Sequence, residues 1–318
     1  MFKYRLRQHL IACGPVIPQT RRWTVANSLV LVTLIRLIGK IPLRLLHACG
    51  VVVGWVVYWL SPGYARRINN NLAISALCPD ADSYRRLLRS VIAQGGRTLL
   101  ELPAVWFRDD EALVRLVADC RGWDAVASLR AQGRSIIFLS PHMGCFEIAA
   151  RYVSTKFPLT VMYRPQRSSW VDDLMASGRS HRQLRLAPTS FKGVRMLFQA
   201  LRRGESIGLL PDHAPGIGEG EWADFFGKPA FTMTLPRRLQ QASGAALMVT
   251  FGERLPGGKG YRLHFEPLPE HDFDEGKLND AIESLVRRFP DQYFWNYNRY
   301  KKMSSRRQRR TDVSLKLP

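Results

Sequence analysis

The sequence predicts an α/β fold with a mostly parallel central sheet flanked by helices, preceded by a helical, apolar and basic segment. Three observations point there. Short apolar runs recur without polar alternation, as in strands buried on both faces. The segments between them carry helical periodicity. The chain has 318 residues, 46% hydrophobic and 23% charged, enough to bury one sizeable core. Buried strands alternating with helices make a sheet covered on both faces.

At the N-terminal end, apolar stretches at residues 25–35 and 45–60 are separated by Arg36, Gly39, Lys40, Pro42 and Arg44. As a helix the second stretch is about 24 Å long, against a hydrocarbon core of roughly 30 Å, so it lies in one leaflet or crosses with strain. Arg36, Lys40, Arg44 and His47 recur at helical spacing and are expected on one face, with Trp55, Tyr58 and Trp59 suited to a headgroup boundary. Residues 1–66 are therefore read as a membrane-associating segment. No cleaved signal peptide is predicted, because the basic start at Lys3, Arg5 and Arg7 leads into no short apolar core with a cleavage site.

Residues 67–301 are expected to form the α/β domain. From Ser83 a helix places Leu87, Leu88, Val91 and Ile92 on one side and ends before Pro103, and further helices are expected at 111–118 and 123–131. SIIFLS (135–140), LTVMY (159–163), SIGLLP (206–211) and AALMVTF (245–251) read as buried strands, with helices at 191–203 and 234–243 between them. YRLHFE (261–266) reads as an antiparallel edge strand. Residues 302–318 are expected to be a basic tail, and the stretch from Arg299 to Arg310 is a second electrostatic anchor for anionic lipid.

Lys and Arg number 47 against 26 Asp and Glu, a formal net charge of +21 that calls for an anionic partner. No helix-turn-helix, zinc-finger or RNP pattern accompanies it, which argues against nucleic acid and for a membrane surface or an acidic protein. The five cysteines, Cys13, Cys49, Cys78, Cys120 and Cys145, are scattered without a C-x-x-C pair, so neither a disulfide framework nor a metal site is expected.

In α/β sheets the working residues gather beyond the carboxyl ends of the strands. There, directly after SIIFLS, stands PHMGCFEIAA, with His142 and Glu147 separated by four residues. On one regular helix they would point about 140° apart. With His142 in the turn and Glu147 in the first helical turn, the carboxylate reaches the imidazole, fixes its tautomer and leaves the other nitrogen to take a proton from a hydroxyl. Gly144 either lends backbone N–H groups to an oxyanion or permits close packing.

The H-x-x-x-x-[DE] element resembles that of the glycerolipid and lipid A acyltransferases. MYRPQ (162–166), FKG (191–193), LLPDHAPGIGEG (209–220), FFGKPAFTMT (225–234) and QYFWNYNRYK (292–301) resemble, in order and spacing, the late acyltransferases of bacterial lipid A biosynthesis, within the lysophospholipid acyltransferase superfamily. NNLAISALCPD (70–80) fits the family's N-terminal helical part. The resemblance implies transfer of a fatty acyl chain from acyl carrier protein to a hydroxyl of a lipid A precursor at the cytoplasmic face of the bacterial inner membrane. It implies no cofactor. It makes His142 the general base and Glu147 its orienting partner; Arg164 is then a group that stabilises the oxyanion or binds the anionic lipid acceptor, and Asp212 a functionally important acid. Two other readings stand beside it: a lysophospholipid or aminolipid acyltransferase, and a non-catalytic basic peripheral membrane protein.

Overall fold

The computed structural model describes residues 25–300 apart from 167, 180 and 182. Its central sheet has seven strands in the order β1 (Val117–Arg121), β9 (Tyr261–Pro267), β8 (Ala246–Arg254), β2 (Ile136–Leu139), β5 (Ser206–Leu209), β3 (Leu159–Tyr163) and β4 (Leu184–Pro188). Every neighbouring pair is parallel except β8 with β9. A separate antiparallel hairpin joins β6 (Gly220–Phe225) to β7 (Lys228–Met233). The fold class read from the sequence is the one observed.

The four residues of β2 are all buried and alternate between two half-cores, as a strand's period of two requires. Ile137 and Leu139 meet α9 (Phe191–Arg202), α10 (Leu235–Ser243) and α11 (Glu275–Arg288) through Leu197, Leu239 and Ile282. Ile136 and Phe138 meet α6 (Trp123–Ala131) and α7 (Phe146–Ser154) through Val126, Ile148 and Val153.

Three of the expected element assignments need correction. The helix from Ala81, α4 (Ala81–Phe107), continues through Pro103. Burial of Ala104, Val105 and Trp106 beyond the proline offsets the hydrogen bond its ring removes. The helix expected at 111–118 stops early, as α5 (Asp110–Val114), and residues 117–121 pair in parallel with β9. Strand β9 is therefore not the edge, because β1 takes up its free backbone groups. The β6–β7 hairpin was not foreseen; it turns at Phe226 and Gly227, both at positive φ, as a two-residue hairpin requires.

The N-terminal apolar stretches form α1 (Val25–Lys40) and α2 (Leu43–Leu60), broken at Pro42. Helix α2 lies antiparallel along α4. Gly39 faces Pro103, Gly50 faces Gly96 and Arg97, and Gly54 faces Ile92 so closely that a Cβ there would sit 2.2 Å from the Ile92 carbonyl oxygen. His47 does not belong to an exposed basic face. It is buried, 3.1 Å from Glu101 Oε2. Glu101 in turn receives Arg254 Nε at 2.8 Å and Nη2 at 2.5 Å and the Tyr261 hydroxyl at 2.9 Å, while Arg254 also donates to Gln94 and Thr98. Burial acts to raise the Glu101 carboxyl, but Arg254 and His47 outweigh it and hold it at about 2.

Arg299, the first residue of the expected basic anchor, is also buried. It donates to the Phe231 carbonyl at 2.8 Å, to Thr232 Oγ1 at 2.7 Å and to Asn279 Oδ1 at 3.0 Å, and its guanidinium lies over the Phe225 ring. It braces the hairpin against α11. The rest of that anchor, the tail at 302–318 and residues 1–24 of the N-terminal segment lie outside the described residues.

Candidate active site

Strands β2, β5 and β3 are neighbours, and just beyond their carboxyl ends stand His142, Asp212 and Arg164. The first two meet directly. Asp212 accepts the His142 ring Nδ1 at 2.7 Å on one carboxylate oxygen and the His142 backbone N–H at 2.9 Å on the other. One carboxylate thus holds both the ring and the main chain of the same residue. With Nδ1–H donated, the tautomer is set and Nε2 carries the free lone pair.

Asp212 is 2% exposed. Burial alone would raise its carboxyl, but the His142 imidazole, the His213 ring and the His142 N–H more than compensate and keep it at about 2. His213 stacks on His142 with ring centroids 3.8 Å apart, and on its other side stacks on Tyr297 at 4.0 Å. Burial, then the nearby His142, and further the charges of Arg299 and Arg164, push the His213 imidazole down to about 4 against the pull of Asp212. It is a neutral slab at physiological pH. The Tyr297 hydroxyl accepts the Ala214 N–H at 2.9 Å, and Asn71 fixes this part of the chain by donating to the carbonyls of Trp295 and Tyr297. Phe146 and Phe294 complete an aromatic wall around His142.

The pairing of His142 with Glu147 is corrected by this geometry. Glu147 turns to Arg179 on α8 (Ser169–Arg179), whose Nε lies 3.0 and 3.1 Å from its two oxygens and whose Nη2 also bonds it. The Arg179 guanidinium rests on Trp106. The physical reason is direction: His142 sits in the turn with its ring toward the β5 loop, whereas Glu147 begins α7 and faces the α4–α8 side. Glu147 ties helices together, and Asp212 is the carboxylate at the imidazole.

Gly144 is a close-packing glycine. Its φ is +50°, and a Cβ would lie 2.2 Å from the Gly252 carbonyl oxygen. Its N–H donates to Gln292 O at 2.8 Å and that of Cys145 to Gly252 O at 2.9 Å, so neither amide faces an oxyanion. Arg164 is exposed directly after β3, and its charge acts on both His213 and Tyr297, which places positive potential beside the imidazole. No group of three or more His, Cys, Asp or Glu suited to a metal ion occurs among the described residues.

His213, Tyr297 and Asn71 were not singled out from sequence as site residues. Signals were present: His213 follows Asp212 directly in LLPDH, and Tyr297 lies in the aromatic run YFWNY. Nothing local to either segment states that they stack.

A carboxylate-held imidazole whose Nε2 has no partner among the described residues, at the carboxyl end of an α/β sheet and within the field of the exposed Arg164, has the equipment of an acyl-transfer enzyme that deprotonates a hydroxyl. The chain belongs to the bacterial lipid A biosynthesis acyltransferase family, whose sequence profile matches residues 16–302, and with it to the O-acyltransferases. Among its relatives, the lipid A biosynthesis lauroyltransferase of Escherichia coli K12 is 25% identical over 272 residues, 83% of this chain and 88% of the relative. The palmitoleoyltransferase of the same organism is 26% identical over 227 residues, 70% of this chain and 73% of the relative. Its myristoyltransferase is 25% identical over 186 residues, 56% of this chain and 57% of the relative.

Proposed function

We propose that this chain transfers a fatty acyl group from acyl carrier protein to a hydroxyl of a lipid A precursor at the cytoplasmic face of the bacterial inner membrane, with His142 as general base and Asp212 as the group that orients it. The observation that carries the reading is the double hold of Asp212 on His142, through Nδ1 and through the backbone N–H. In the reaction the acceptor oxygen attacks the thioester carbonyl while its proton passes to His142 Nε2. The ionised Asp212 stabilises the imidazolium that forms. The tetrahedral intermediate then collapses, the C–S bond breaks, and the imidazolium returns the proton to the leaving thiolate. The products are an ester and a free carrier thiol.

Arg164 supplies positive charge to the developing oxyanion or to the anionic acceptor, an effect worth on the order of 3 kcal/mol for a well-placed donor. Stacked His213, held neutral by its burial, adds no further positive charge against the imidazolium that forms. The net charge of +21 suits both an acidic carrier and an anionic lipid.

The test is product mass. Purified protein, acyl-loaded carrier and a lipid A precursor are incubated together and the lipid is weighed by mass spectrometry. The expected product is heavier by one acyl chain, and His142→Ala yields none while the variant still binds the precursor. Unchanged turnover by His142→Ala would remove the assigned base.

A further inference from the structure

By length and composition alone α2 qualifies to cross a membrane. Its two faces say otherwise. One face is packed on protein: Leu43, Leu46, His47, Gly50 and Gly54 are buried, the two glycines touch the α4 backbone, and His47 bonds to Glu101. Because Glu101 is paired to Arg254 at the end of central strand β8, α2 is fastened through α4 to the sheet itself. Lipid cannot surround α2 without breaking a buried ion pair or drawing charged α4 and the sheet into hydrocarbon.

The opposite face is apolar and open. Leu45, Cys49, Val52, Val56 and Trp59 follow one another at spacings of four, three, four and three, which aligns them in a single stripe. Their exposures include 57% at Leu45, 64% at Val52 and 69% at Trp59. Leu37 and Ile41, exposed at the α1–α2 junction, continue the surface. Such a contiguous apolar surface marks an interface.

We infer that α2 lies in the plane of an anionic bilayer, its Leu45–Val52–Val56–Trp59 stripe sunk into one leaflet and its other face on α4, rather than spanning the membrane. The charges decide between a bilayer and a second copy of this chain. Arg36, Lys40 and Arg44 are exposed beside the stripe. An isologous contact would set this surface against itself, and α1 and α2 carry no carboxylate to pair these cations, whereas anionic headgroups complement them. Trp59, its ring tilted against that of Trp55 at 5.4 Å, suits the headgroup boundary. The position also fits a lipid acceptor: α4 and α2 cap the carboxyl end of β8, and Gly252 on that strand bonds the loop that carries His142. The lipid face and the base are thus at the same end of the sheet.

The inference rests on the membrane location proposed above, and depth measurement tests it separately from catalysis. The full chain, with its accessible cysteines replaced by serine, receives a spin label at Leu45→Cys, Val52→Cys or Trp59→Cys and is bound to vesicles of phosphatidylethanolamine and phosphatidylglycerol. In-plane binding places all three labels at one depth, about 5–10 Å below the phosphates. A spanning helix would spread residues 45 and 59 over about 21 Å of depth at roughly 1.5 Å per residue. That spread overturns the inference, as do labels that remain in water or that show only protein–protein dipolar coupling. As an independent arm, Val52→Glu with Val56→Glu should lower vesicle partitioning at least about tenfold with an unchanged thermal midpoint, since both side chains are exposed. Unaltered partitioning contradicts the assignment. A chain that binds at one depth but transfers no acyl group keeps this inference and loses the proposed activity.

Discussion

His142 has one ring nitrogen committed to Asp212 and one left over, so its capacity as a base depends on a carboxylate that stays charged. With its carboxyl held at about 2, Asp212 is ionised throughout the pH range in which an enzyme works. His213 behaves oppositely. Its ring lies at about 4 in the folded protein, below the ordinary 6.5, so the unfolded chain takes up a proton first. Folding stability therefore falls as pH drops from 6.5 and stops falling near 4, by about 3 kcal/mol at most. In urea unfolding across this window the wild type should lose up to about 3 kcal/mol more stability than His213→Phe as the pH falls from 6.5 to 4, and parallel curves would refute the neutral, buried imidazole. At this scale the sequence was partly legible. His142, Asp212 and Arg164 were all singled out in the sequence, and the fold sets them just beyond the carboxyl ends of adjoining strands. The pairing of His142 with Asp212 was not legible there, because Glu147 is five positions away in the chain and Asp212 seventy, and only the adjacency of β2 and β5 brings the latter to the imidazole.

At the scale of elements, the Glu147–Arg179 pair joins α7 to α8 and the glycines join α2 to α4. Both side chains of the ion pair are about nine-tenths buried, with 9% and 12% side-chain exposure. Glu147→Gln leaves Arg179 without its counter-charge and should cost about 3 kcal/mol of stability, read as a lower thermal midpoint. Gly54→Leu should cost about 2–3 kcal/mol, because its side chain would enter the Ile92 carbonyl. A midpoint within a degree of wild type in either case would contradict the packing described. Strands β2, β3, β5 and β8 were legible as continuous apolar runs. Strand β1 was hidden, because VADCR is half polar and is a strand only through β9. The continuation of α4 past Pro103 was hidden too, since tertiary burial outweighs a local rule there.

Across the whole molecule, one buried ionic cluster holds the N-terminal helices to the sheet. Glu101 and Arg254 are 0% and 3% exposed and are joined by Gln94, Thr98, His47 and Tyr261. Replacing Glu101 by Gln leaves Arg254 buried without its charge partner and should destabilise the fold by about 3–5 kcal/mol, measurable by chemical denaturation. None of this cluster was visible in the sequence, where its members are up to 214 positions apart, from His47 to Tyr261. The excess of positive charge was visible at once, yet Arg254 and Arg299 show that part of it is structural and faces no partner. The central claim is that Asp212, not Glu147, serves the base. It is tested most directly by kcat for acyl transfer from acyl carrier protein in Asp212→Asn and Glu147→Gln, each corrected for folded fraction. Loss of the orienting carboxylate should lower kcat about a thousandfold to ten-thousandfold in Asp212→Asn and leave Glu147→Gln within about tenfold of wild type. The reverse order of effects would contradict the account.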